Sequence, residues 1–142
     1  MPNESWSSLD AEPDLHRALL ASPSSRLVRA DLRQSRENER AAQVAMTQEA
    51  IARVFKVPVS ELRAPTRRTA PVAEARQIAM YLTHVVFGLS LSGVGRHFGR
   101  DRTTAAHVCR QIEDRRDDHD FDVLVDRLEF AIRSLPLGGL RQ

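Results

Sequence analysis

Ala75, Ile78, Ala79, Leu82 and Val86 stand at i, i+3, i+4, i+7 and i+11, and Gly88 follows them. That spacing lays one apolar stripe along a helix, and glycine readily ends such a helix by adopting a left-handed conformation. The same period returns twice. Ala105, Val108, Cys109 and Ile112 repeat i, i+3, i+4, i+7, and "DFDVLVDRLEFAIRSL" carries Val123, Leu124, Leu128, Ala131, Ile132 and Leu135. No segment alternates apolar and polar residues with a period of two. The chain is therefore expected to be all-α.

The remaining elements follow from punctuation. Thr47 precedes "QEAIARVF" and reads as a helix start, with Ile51, Val54 and Phe55 facing inward and Pro58 ending the run. "SELR" from Ser60 reads as a short capped turn. "APTRRTAPV", Ala64 to Val72, brackets an arginine pair with prolines and should be extended, so the long helix is expected from Ala73 to about Phe87. Ser90 caps a short helix, "LSGVGRHF", with Leu91, Val94 and Phe98 inward; Gly99 breaks it and Asp101 caps the next. Three regions result: an arm over 1–45 that is disordered to partly helical, a helical domain over 46–136, and a tail over 137–142.

Two helices separated by a glycine-containing turn of about three residues form the outline of a helix-turn-helix. The polar groups at the turn give this outline content. "FGRDRTTAAHVCRQIE" places Arg100, Asp101, Arg102, Thr103 and Thr104 at the mouth of the second helix. With Ala105, Val108, Cys109 and Ile112 inward at about 100° per residue, Thr103, His107 and Arg110 project outward. In a helix-turn-helix this end of the second helix enters the major groove. There an arginine can hold guanine O6 and N7, and a threonine methyl can pack on a thymine methyl. Hydroxyls and the N–H groups of the first turn can hold phosphate oxygens.

Net charge is only +2, but its distribution is uneven. From Arg63 to Arg110, eight arginines face Glu74 and Asp101, a balance of +6; from Gln111 to Ala131, three arginines face eight acids, a balance of −5. A basic body holding the exposed helix mouth is the footprint of a nucleic-acid binder, and two solvated faces of a helical bundle are the alternative. Lys56 is the single lysine, so 20 of the 21 cations are arginine. Arginine suits bidentate phosphate and guanine contacts, although the codon bias of a GC-rich genome accounts for it equally well.

"ARQIAMYL" and "GLSLSGVGRHFGRDRTTAAHVCRQIE" resemble the C-terminal DNA-binding domain of the bacterial replication initiator DnaA. That family reads RQ-x-A-M-x-L, then S-L-x-x-I-G-x-x-F-G-G-R-D-H-[ST]-T-V-x-H-A, and the resemblance covers about residues 46–135. It implies a small helical domain of the DnaA C-terminal, Trp-repressor-like type, which binds double-stranded DNA with a helix-turn-helix in the major groove and a basic loop in the minor groove. By position, it implies base contacts from Asp101, Arg102, Thr103 and Thr104 and a minor-groove contact from Arg68; placement beside these adds Arg100 and His107 to the expected base contacts and Arg67 to the minor-groove loop. Arg76, Gln77, His84, Leu91 and Ser92 would meet the DNA backbone, and Gln77 and His84 do lie opposite the Ile78/Leu82 stripe. Three departures stand out. One glycine of the Gly-Gly pair is missing, Arg102 replaces a histidine, and Glu74 and Ala75 occupy positions often basic and proline.

The sequence contains no G-x-x-x-x-G-K-[ST], so the initiators' ATPase chemistry is not expected, and neither is bound ATP. The expectation is a stand-alone, non-enzymatic, sequence-specific reader of double-stranded DNA in transcription regulation or control of replication initiation. The rival is a protein-interaction module that docks on the replication initiator or another partner. A homodimer or protein partner through residues 27–45 stays open. No cofactor is expected. His107 and Cys109 point about 200° apart on one helix, which excludes a shared metal, and Cys109 lies in the apolar stripe. Asp117, Asp118, Asp120 and Asp122 lack the glycine and terminal glutamate of a calcium loop. One cysteine allows no internal disulfide, and neither a signal peptide nor a membrane-length apolar run is present. A cytoplasmic, nucleoid-associated protein is expected.

Overall fold

The computed structural model describes residues 17–18, 22–64 and 69–136. The chain divides into two compact units, Met1–Asn38 and Glu39–Gln142. Six helices have their bounds within the described residues: α1 (Pro23–Phe55), α2 (Val59–Arg63), α3 (Ala70–Phe87), α4 (Leu91–Phe98), α5 (Arg102–Arg115) and α6 (His119–Arg133). No strand occurs among the described residues.

In the first unit, α1 starts where its chemistry favours a start. The Ser22 hydroxyl accepts from the Ser25 backbone N–H at 3.2 Å, and Pro23 occupies the first helical position, where a missing N–H costs nothing. Leu27, Val28 and Leu32 are 68%, 57% and 53% exposed, so this part of the helix buries no apolar face.

In the second unit the same helix has a defined inner side. Val44, Thr47, Gln48, Ile51 and Ala52 are buried at i, i+3, i+4, i+7 and i+8. Thr47 is thus no helix start: it is fully buried in mid-helix, and its hydroxyl donates to the Gln43 carbonyl at 2.8 Å. A threonine can satisfy its hydroxyl on the preceding turn as well as at a cap, and the sequence shows both options alike. Val54, expected inward, is 53% exposed, because the stripe turns toward Ala52 instead. Lys56, at φ 55°, ends the helix, and the Val57 N–H reaches the Ala52 carbonyl at 3.0 Å.

Helix α3 is the centre of this unit and packs against α2, α4, α5 and α6. Ala75, Ile78, Ala79 and Leu82 are fully buried as expected, and Met80 and Tyr81 beside them are buried too. The helix begins at Ala70, three residues before the expected Ala73. Pro71 causes the difference: in the first turn it fits the helix rather than opposing it. Gly88 ends α3 at φ 72°, its N–H bonded to the His84 carbonyl.

Helix α6 buries Phe121, Val125, Leu128 and Ile132. Val123 and Leu124 are only half-buried and Ala131 is exposed, so the inner stripe is rotated away from the expected one at those positions. The α5–α6 corner is held by charge. Arg116 bonds Asp122 and Asp126, Glu129 at 2.8 Å and the Tyr81 hydroxyl at 3.0 Å, while that hydroxyl donates to Glu113. Burial alone would lower the Arg116 pKa, but these partners raise it. Burial first, and the Glu113 bond second, push Tyr81 up to about 12. Arg115 adds an ion pair to Glu74 at 3.0 Å and covers the Phe121 ring at 3.9 Å. No helix among the described residues is long and apolar enough to cross a membrane.

Candidate nucleic-acid interface

The helix-turn-helix is built from two caps and one close approach. The Ser90 hydroxyl accepts from the Gly93 N–H at 3.0 Å, which starts the eight residues of α4. Gly99, at φ 67°, reverses the chain alone, without the second glycine of the family pattern. The Arg100 N–H then returns to the Gly95 carbonyl at 2.7 Å. A Cβ on Gly95 would stand 2.5 Å from the Arg100 carbonyl oxygen and 3.0 Å from that of Asp101. Only a residue without a side chain lets the turn lie this close to α4. Helical periodicity does not single out this glycine. The signal in the sequence is the cost of a glycine in a helix interior, which ordinarily needs a packing reason.

Asp101 then opens α5: its carboxylate accepts from the Thr104 N–H at 2.7 Å. That bond, followed by one from the Thr104 hydroxyl, holds the Asp101 carboxyl below its usual range. The burial of Ala105, Val108, Cys109 and Ile112 fixes the helix's rotation. Arg102, Thr103, His107 and Arg110 are consequently all exposed. Arg100 lies half-buried, its guanidinium donating to the Gly99 carbonyl at 3.1 Å. The expected readers thus share one helix end, with Asp101 also bracing it.

The expected backbone-contact residues divide into two groups. Gln77 and Arg76 line an open cleft of about 480 Å³ with Arg100 and Thr104, where α3 passes the start of α5. His84 and Leu91 line a different groove, of about 370 Å³, with Arg110 and Glu113. His84 has a bracing role there: its Nδ1 lies 2.7 Å from the Leu89 carbonyl oxygen. A carbonyl only accepts, so Nδ1 carries the proton. Leu91 is half-buried and Ser92 exposed at the start of α4. Arg67 and Arg68 lie outside the described residues.

Arg76 does not lie outward. It is only 5% exposed, and it donates from Nε to the Leu62 carbonyl at 3.1 Å and from Nη2 to that of Glu61 at 2.8 Å. Those carbonyls belong to α2, a five-residue helix too short to satisfy its own end. Arginine's rigid fork suits the task, and its position beside Ala75 in the stripe could not reveal a partner 14 residues upstream.

The family model of the bacterial dnaA protein helix-turn-helix matches residues 44–112. Those residues form a DnaA-type helix-turn-helix domain. The match begins at Val44, the first buried residue of α1, and ends at Ile112, the last buried residue of α5. The chromosomal replication initiator protein DnaA of Mesorhizobium japonicum is 46% identical over 68 residues, 47% of this chain and 14% of that protein. That of Rickettsia bellii is 36% identical over 80 residues, 56% of this chain and 17% of that protein. The chain therefore spans about a sixth or less of these relatives' length. A solved DNA replication initiation factor superposes with a TM-score of 0.65 at 26% identity, covering 81% of this chain and 39% of that one. A replication initiator DnaA bound to AMPPCP and single-stranded DNA gives 0.63 at 30% identity, covering 75% and 32%. Helix α6 and α1 before Val44 lie outside the matched DnaA-type range.

Proposed function

We propose that this chain is a non-enzymatic, sequence-specific binder of double-stranded DNA acting in control of replication initiation or in transcription regulation. One observation carries the reading: Arg102, Thr103 and His107 stand exposed together on the capped end of α5 in a DnaA-type domain. An N-terminal helix end with cations and hydroxyls fits base edges and phosphates at once. In this reading Arg100, Asp101 and Thr104 complete the base-reading set, and Gln77, Ser92 and the backbone at Leu91 meet phosphates. Arg67 and Arg68 enter the adjacent minor groove, where arginine favours narrow A·T tracts. Arg102 in place of histidine adds a bidentate donor and shifts preference toward guanine.

The test is selection of bound sequences from random duplex DNA at about 0.1 M salt, where phosphate contacts are still strong. A defined box should emerge, and Arg102→Ala should weaken it by about 1–3 kcal/mol and relax one base position. Unchanged affinity and preference in Arg102→Ala would falsify the groove assignment. Chromosomal occupancy of the selected box, at origins or at promoters, then separates the two roles.

A further inference from the structure

Residues 26–36 of α1 carry four arginines, Arg26, Arg29, Arg33 and Arg36, against one carboxylate, Asp31. All four are exposed on a regular helix. Their spacing of three, four and three residues places them within an arc of about 80°, along roughly 15 Å of helix. Asp31 falls on the opposite side. Glu37, one turn beyond Arg33, borders the stripe. The Ser22 and Ser25 bonds hold the first turn, and Arg29 Nε donates to the Ser25 carbonyl at 3.4 Å, laying that side chain along the helix.

We propose that this stripe is a second contact for double-stranded DNA, made to the phosphate backbone without regard to sequence. The inference rests on the DNA-binding reading above and adds a surface outside the DnaA-type range of residues 44–112. Charge complementarity selects the partner. A protein partner is anchored by buried apolar or aromatic side chains at the centre of the patch. This arc holds none: the exposed Leu27, Val28 and Leu32 lie about 80° or more from its midline. A row of cations without an apolar centre matches a polyanion whose charges recur along a line. Arg36 stands eight residues before Val44 in the same chain, so the two contacts are covalently tethered, and the stripe acts at high effective concentration.

The test uses the full chain with Arg26, Arg29, Arg33 and Arg36 all changed to Gln, which preserves helix propensity. Affinity for random-sequence duplex is measured from about 50 to 200 mM salt. Each lost phosphate contact lowers the slope of log K against log salt by about 0.9, so the slope should shrink by roughly two to four units. The preferred box should remain the same. Replacing the four by Lys should keep the slope, since counterion release counts charge; a slope lost in this variant too overturns the proposal in favour of a folding defect. An unchanged slope in the Gln variant, with Arg102→Ala still altering base preference, sinks the stripe alone and leaves an acidic protein as its partner. Absence of duplex binding by the unaltered chain at about 50 mM salt removes both readings.

Discussion

Gly95→Ala tests whether the close approach of the turn to α4 determines the geometry of the reading end. In an open helix this change helps, since alanine is favoured over glycine by about 1 kcal/mol in a helix interior. Here the added Cβ meets two backbone oxygens at 2.5 and 3.0 Å, and neither can swing aside as a side-chain tip would. The Arg100–Asp101 segment must lift, which strains the 2.7 Å return bond from Arg100 to Gly95 and tilts the Asp101 cap. Overpacking of this kind costs about 1–3 kcal/mol, occasionally more, and two rigid backbone oxygens put this site in the upper half of that range, so the net loss after the propensity gain should be about 1–2 kcal/mol. For a unit of this size that is a fall in melting temperature of about 4–15 °C, read by circular dichroism. Affinity for the selected box should fall further than stability explains, because the lifted segment is the one that carries Arg100, Asp101 and Arg102. Gly93→Ala is the control: the nearest atom to its Cβ would be the Ser90 hydroxyl at 3.2 Å, which can give, so its melting point should stay near the unaltered value. A Gly95→Ala chain that melts as high as the parent and binds as tightly refutes the close-approach argument.

Arg76→Ala should lower stability by about 2–4 kcal/mol in urea unfolding, since it leaves the Glu61 and Leu62 carbonyls without their shared donor. Loss of DNA affinity at full stability would instead return Arg76 to the phosphate-contact set. Tyr81 gives an alkaline signature. Its pKa is raised from 10.0 to about 12 on folding, so the folded chain holds the proton more tightly than the unfolded chain. That contribution is complete below pH 10 and should disappear between pH 10 and 12, by roughly 2–3 kcal/mol. Tyr81→Phe should flatten this part of the stability profile relative to the parent; identical alkaline limbs would show that burial and the Glu113 bond do not hold the phenol proton.

Sequence periodicity locates the helices that bury one clean stripe. Ala105, Val108, Cys109 and Ile112 are all inside, and with them the outward aspect of Thr103 and His107 follows by rotation alone. Caps are legible where a short polar residue meets a glycine-marked turn, as at Ser90 and Asp101. What periodicity cannot show is long-range pairing of polar groups. Thr47 and Arg76 read as a cap and an outward cation because a side chain's partner, and not its type, decides whether it is buried. Val123 and Ala131 read as inward because α6 offers two apolar arcs, and Phe121 and Val125, on the arc that α6 buries, show which one is used.

The acidic C-terminal segment has a role that its charge count conceals. Its balance of −5 reads in sequence as a solvated acidic face, yet Asp122, Asp126 and Glu129 converge on Arg116, and Glu113 is engaged by Tyr81. These carboxylates fasten the α5–α6 corner to α3 at the opposite end of α5 from Arg102. A half-buried arginine surrounded by carboxylates is stable only while all its partners stay, so the network resists reorganisation. The result is an α5 whose C-terminal end is tied by ion pairs and whose N-terminal end keeps Arg102 exposed to solvent. Arg100 and Arg102 outnumber Asp101 there, and under the proposed function a phosphate backbone completes that surplus of basic charge.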